Sequence, residues 1–217
     1  MFLNSVVERP KDALFKLATA LAIITVFYNI IEGIVSVVFG LHDETLSLFG
    51  FGIDSFVEVT SGFGVWHMLN RIKLNGEEKR DEFEKSALKI TGTGFYILSA
   101  GLLITAVYNI IIGHKPETTF WGIIISIISI AAMSLLILYK LNVGRTLNSE
   151  AIIADANCTK TCLYLSIVLF VASAGYAFTG IGGIDSAGAL IIAYLSFKEG
   201  RESFEKAKTG KYCSCED

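Results

Sequence analysis

Ile90-Thr-Gly-Thr-Gly-Phe-Tyr-Ile-Leu-Ser-Ala-Gly-Leu-Leu-Ile-Thr-Ala-Val-Tyr-Asn-Ile-Ile-Ile-Gly113 runs for 24 residues without a formal charge. A helix crossing the hydrocarbon core needs about 20 such residues, so this stretch alone reads as a transmembrane span. The next apolar run, Thr118 to Tyr139, is likewise free of charge. Leu17 to Leu41 is interrupted only by Glu32, and Thr45 to Trp66 only by Asp54 and Glu58. From Ala151 to Ile184 the chain is apolar apart from Asp155 and Lys160, too long for one crossing. Thr179-Gly-Ile-Gly-Gly183 supplies the break, because glycines this dense end a helix and turn the chain.

The reading is an all-α polytopic membrane protein of six transmembrane helices, at about 12–41, 44–72, 84–113, 117–143, 148–178 and 184–198. Residues 1–11 form a cytoplasmic N-terminal segment, 12–198 the six-helix transmembrane domain and 199–217 a short cytoplasmic tail, which starts as an amphipathic stretch. Composition agrees with this. Hydrophobic residues make up 53% of the 217, charged residues only 18%, and mean hydropathy is +0.57, an apolar excess no single soluble core hides. That excludes a soluble enzyme and a disordered chain. A net charge of −3 leaves no basic surplus for phosphates, so nucleic acid is excluded as a partner. Four cysteines are too few for a disulfide scaffold.

Orientation follows from lysine and arginine. They fall before the first span (Arg9, Lys11, Lys16), between the second and third (Arg71 to Lys89), after the fourth (Lys140, Arg145) and at the end (Lys198 to Lys211). Lys115 is the one basic residue in the opposite loops, so both termini are placed in the cytoplasm and the chain in the plasma membrane. The charged run Glu8 to Asp12 stands where a signal peptide would be apolar. Ile24–Gly33 and Ile104–Gly113 agree at seven of ten positions, as internal repeats in transporters do and as chance in an apolar alphabet also allows.

Ionisable groups inside a membrane helix demand a partner or a function. Asp54 and Glu58 are four apart, which puts both carboxylates on one helix face, about 6 Å apart, where they repel unless a proton or cation sits between them. Cys158 and Cys162 repeat that spacing on the fifth span. Packing the two faces together gives two oxygens and two sulfurs around one point, the number a tetrahedral ion such as Zn²⁺ takes. Thiolates favour Zn²⁺, Cd²⁺, Hg²⁺ or Cu⁺ over Mg²⁺, Ca²⁺ and Mn²⁺. Four deprotonated ligands around a divalent ion leave two negative charges, which retained protons or Lys160 would offset, making occupancy proton-dependent.

The plainer reading of the cysteines is as small buried hydrophobes. Asp155 faces water or the ion's path from the cytoplasm, and Glu32 and Lys160 either pair to fix helix packing or compensate charge at the site. Asn29 and Asn157 read as interhelical hydrogen-bonding groups. His42, His67 and His114 sit in loops or at membrane ends, where solvation is the default. Cys213 and Cys215, flanked by acids in the tail, are either a weak soft-metal site or idle thiols.

Three segments, Phe51-Gly-Ile-Asp-Ser-Phe-Val-Glu58, Ser149 through Cys162, and Gly183-Ile-Asp-Ser-Ala-Gly-Ala-Leu-Ile-Ile-Ala193, resemble the second, fifth and sixth helices of the cation diffusion facilitator family. The resemblance covers about residues 12–200. It implies a secondary active transporter and not an enzyme, one that exports a divalent metal from the cytoplasm in exchange for protons. The cargo is a passing substrate with no permanently bound cofactor, and Asp54, Glu58, Cys158 and Cys162 fall on the family's two ligand pairs. Glu58 stands where the family usually has Asp, and the cysteines replace a His/Asp pair. The family's cytoplasmic ferredoxin-like domain is expected to be absent, leaving the membrane domain as the surface for a homodimer. Two rival functions stay open: a membrane thiol-disulfide oxidoreductase using Cys158 and Cys162, and a metal-binding sensor that does not transport.

Overall fold

A computed structural model of the chain describes residues 10–75 and 82–210. Six helices make up the described part, with no strand among them: α1 Lys11–His42, α2 Leu46–Asn75, α3 Glu82–Ile112, α4 Phe120–Leu147, α5 Glu150–Thr179 and α6 Gly183–Thr209. At 1.5 Å per residue, even the 27-residue α6 is about 40 Å long, enough to pass through a bilayer and emerge from it. The glycine turn lies where its composition puts it. α5 ends at Thr179, Gly180 takes the left-handed conformation at φ +65°, and α6 starts three residues later. Between α4 and α5 the same job falls to Asn148, at φ +50°.

α6 differs from its expected extent. It continues as one helix past residue 198 to Thr209, stopped by Gly210 at φ +69°. Ion pairs one turn apart support the extension: Arg201 Nε to Glu205 Oε1 at 2.9 Å, and Lys206 Nζ to Glu202 Oε2 at 3.5 Å.

α1 lies along α2, α3 along α6 and α4 along α5, and α2 packs against α1, α3, α5 and α6. That central place explains the composition of α2. Four helices, α1, α3, α4 and α5, are long and apolar enough to cross a membrane on length and hydropathy. α2 and α6 carry more polar residues, yet each also exposes large apolar side chains: Phe56, Phe63 and Trp66 on α2, and Ile191, Tyr194 and Phe197 on α6. α2 approaches its neighbours closely through glycines. A methyl group on Gly52 would stand 2.8 Å from the Val37 backbone nitrogen of α1, and one on Gly50 2.7 Å from a Leu102 methyl of α3.

Two apolar clusters fill the bundle. One joins Leu48 and Phe51 of α2 to Leu102, Leu165, Leu169 and Ile192; the other joins Leu14 and Leu21 of α1 to Leu69, Met133, Val143 and Ile152. Along α2, Asp54 and Glu58 fall between Phe51 of the first cluster and Leu69 of the second. Along α2 the acid pair thus stands between two apolar clusters, the second of which includes Cys162. On the outside, Phe83, Ile90, Ile97, Ile104 and Ile111 repeat every seven residues along α3 and are all exposed, the face an integral membrane protein offers to acyl chains. Asp185, in the first turn of α6, is buried and accepts hydrogen bonds from the Leu46 and Ser47 backbone N–H groups and the Ser47 hydroxyl. It therefore caps α2 from another helix and fixes both starts at one end of the bundle.

Candidate metal centre

The 3.6-residue period places Asp54 and Glu58 on one face of α2, and Cys158 and Cys162 on one face of α5. The bundle turns these faces toward each other. The Cys162 thiol donates to Glu58 Oε1 at 2.7 Å, and Asn29 of α1 donates through Nδ2 to Glu58 Oε2 at 3.0 Å. Glu58 is therefore held by two other helices at once. Asn29 Oδ1 is buried and has no hydrogen-bond partner among the described residues.

The other two candidate ligands turn toward α6. Asp54, 2% exposed, accepts from the Ser196 hydroxyl at 2.9 Å, and Cys158 Sγ stands 4.0 Å from Lys206 Nζ. Among the described residues, no three His, Cys, Asp or Glu side chains stand close enough together to grip one ion. In this conformation the two pairs meet through Glu58 and Cys162, while Ser196 and Lys206 engage their partners.

A small cavity of about 80 Å³ opens on this point, lined by Asn29, Glu58, Cys158, Cys162, Asp155 and Lys206 among others. Beside it lies a larger one of about 390 Å³, lined by Asn157, Lys160, Thr161, Lys198 and Glu202 among others. Ala154, Cys158, Glu199 and Lys206 line both. Glu199 accepts a hydrogen bond from the Thr161 hydroxyl at 2.9 Å, which ties α6 to α5 at the junction.

The remaining charges sort differently from the sequence expectation. Glu32 and Lys160 do not pair. Glu32 accepts from the Tyr28 hydroxyl at 2.9 Å, one turn away, and from Ser55 of α2 at 3.2 Å, whereas Lys160 donates to Asn157 one turn back at 2.8 Å. Tyr28 and Ser55 serve Glu32 and Asn157 serves Lys160, so the two charges do not turn to each other. Asp155, expected to face water or the ion's path, pairs with Lys140 of α4 at 2.9 Å and lines the smaller cavity. Lys140 is 1% exposed and also donates to the Thr159 hydroxyl at 3.0 Å. A buried lysine needs such partners, and here they hold α4 against α5. Asn29, expected as an interhelical donor, is one, and its target is a candidate ligand. Cys213 and Cys215 lie outside the described residues.

Sequence reading passed over Ser196, Glu199 and Lys206. Ser196 is one hydroxyl among many, with no signal of its own. Glu199 and Lys206 sit seven apart in a charged amphipathic stretch, two turns apart on one face, a spacing that does mark them as neighbours.

The Cation efflux transmembrane domain profile matches residues 18–209, nearly the whole described bundle. A protein of Methanocaldococcus jannaschii described as an uncharacterized transporter is 28% identical over 180 residues, which cover 81% of this chain and 63% of that relative. The chain thus spans under two thirds of the length of the curated relative it matches. The profile match covers most of the chain and the six helices with lipid-facing outer faces agree with a transmembrane domain, so the chain belongs to the Cation efflux, or cation diffusion facilitator, family of membrane proteins.

Proposed function

We propose that this chain is a metal cation transporter that exports a soft transition or heavy metal, of the Zn²⁺, Cd²⁺, Hg²⁺ or Cu⁺ class, from the cytoplasm across the plasma membrane in exchange for protons. The observation that carries this is the 2.7 Å contact between Glu58 Oε1 on α2 and Cys162 Sγ on α5. A carboxylate and a thiol pressed together need a proton or a cation between them, and a metal ion is the alternative occupant of that place. Asp54 and Cys158, one turn from Glu58 and Cys162, join the shell when they leave Ser196 and Lys206. The sulfurs select against hard ions.

Binding displaces the thiol proton, and return of protons from the far side releases the metal, so exchange follows from the chemistry of the donor set. Rocking of the helices about the site would open it to each side in turn. Family membership, the orphaned Asn29 oxygen beside Glu58 and the two cavities leading to Cys158 support this reading.

The test is flux in proteoliposomes carrying a pH gradient. Cd²⁺ or Zn²⁺ uptake should depend on the gradient, collapse with Asp54→Ala and outcompete Mg²⁺ and Mn²⁺. Undiminished flux in Asp54→Ala would remove that carboxylate from the site, and a preference for Mg²⁺ or Mn²⁺ would remove the thiols. The oxidoreductase and sensor alternatives predict no flux; the former also predicts thiols that cycle to a disulfide, where transport predicts reduced thiols protected from alkylation by metal.

A further inference from the structure

We infer that Lys206 is a tethered cation standing in the neck between the larger cavity and the candidate metal centre, which an arriving metal ion must displace, and that it thereby sets which charges reach Cys158. This rests on the transport reading only for the claim that metal is what arrives.

Lys206 lines both cavities, as do Cys158 and Glu199, so its side chain lies where the two spaces join. Its Nζ is 4.0 Å from Cys158 Sγ and 3.5 Å from Glu202 Oε2, and the side chain is only 13% exposed. It rides on the part of α6 that extends beyond the apolar span. A lysine free to extend into water would not fold back onto a thiol. Here Glu199 and Glu202 on its own helix, with the Cys158 sulfur of α5 opposite, make the inward position favourable.

The physical consequence is competition between like charges. With Lys206 in place its ammonium offsets the carboxylates of Glu199 and Glu202, and a second cation at Cys158 is opposed by it until the ammonium swings away, with Glu202 one turn back able to retain it. Other charged groups near the neck include Lys160 and Lys198, which line the larger cavity, Glu58 and Glu84, which line the smaller one, and Asp155, which is paired with Lys140. Lys206 differs from these in contacting Cys158 itself. It acts on the metal through Cys158 and is a selectivity residue, not a ligand.

The experiment uses the 217-residue chain with Cys162, Cys213 and Cys215 changed to serine, so that Cys158 is the one thiol left of its four. Its modification rate is measured with two methanethiosulfonate reagents of similar size, one carrying a sulfonate and one a quaternary ammonium. Lys206→Gln should lower the anionic-to-cationic rate ratio about tenfold. Lys206→Arg should preserve the ratio, and retention of a monodisperse gel-filtration profile shows that each variant folds. A ratio unchanged in Lys206→Gln, an arginine variant that behaves like glutamine, or a Cys158 inert to both reagents would overturn the inference. These rates involve no metal, so they stand or fall apart from transport. In the protein with native cysteines, Lys206→Gln should also raise Cd²⁺ affinity about tenfold, and an unchanged or weakened affinity would refute displacement by the metal.

Discussion

Ile24–Gly33 of α1 and Ile104–Gly113, which runs along α3 to the residue after it, share seven of ten residues, yet they do different work. In the first, Asn29 and Glu32 are buried, Asn29 holding Glu58 and Glu32 being held by Tyr28. In the second, Tyr108 is 60% exposed, Ile104, Ile110 and Ile111 face outward, and the position matching Glu32 is the exposed Ile112. Local sequence makes both of them helix; neighbours decide which becomes part of a site. α1 lies along α2, which carries the acids, whereas this end of α3 is turned to lipid. The one substituted ionisable position follows the environment, with Glu where Tyr28 and Ser55 offer hydroxyls and Ile where acyl chains do.

Asn29→Leu should break the comparison most severely. Removing the donor that orients Glu58 is expected to weaken Cd²⁺ binding in equilibrium dialysis by about tenfold or more, while Asn109→Leu leaves it unchanged. Equal effects at both sites would mean that the contact to Glu58 is irrelevant. A pH series sharpens the same contrast. Protons compete with metal for Glu58 and the thiols, so affinity should rise with pH, by about tenfold per unit for each proton displaced, and a flat profile would exclude proton competition.

Smaller effects should appear in stability. Glu32→Ile makes the first segment resemble the second, but leaves the Tyr28 hydroxyl without its acceptor and Ser55 with only the Phe51 carbonyl. A loss of about 1–2 kcal/mol in detergent unfolding is expected, against a gain if the carboxyl were merely an unfavourable buried charge. Tyr28→Phe should cost about 1 kcal/mol or less, and Tyr108→Phe under about 0.5 kcal/mol. Equal costs would show that both hydroxyls sit in similar surroundings.

The helices were legible because the bilayer imposes a length and an apolar composition that few other settings require, as Ile90–Gly113 shows. The acid and thiol pairs were legible because residues four apart share a helix face and because Asp54 and Glu58 have no reason to be in lipid without a partner. What spacing within one helix does not contain is the partner on another. Lys140 with Asp155, Ser196 with Asp54 and Lys206 with Cys158 join residues from 15 to 142 positions apart, and each depends on how the rods rotate when they pack. Opposite charge alone suggests pairing Glu32 with Lys160, whereas Tyr28 one turn away and Ser55 of α2 serve the first and Asn157 one turn away serves the second.

On the proposed reading, oxygen from α2 and sulfur from α5 bind the same ion. X-ray absorption spectroscopy on Zn²⁺-loaded protein with Cys213 and Cys215 changed to serine tests it directly. A mixed shell is expected, with sulfur at about 2.3 Å and oxygen at about 2.0–2.2 Å, losing sulfur in Cys162→Ser and oxygen in Glu58→Ala. A shell of oxygen and nitrogen alone, or one unchanged by both substitutions, would contradict the account.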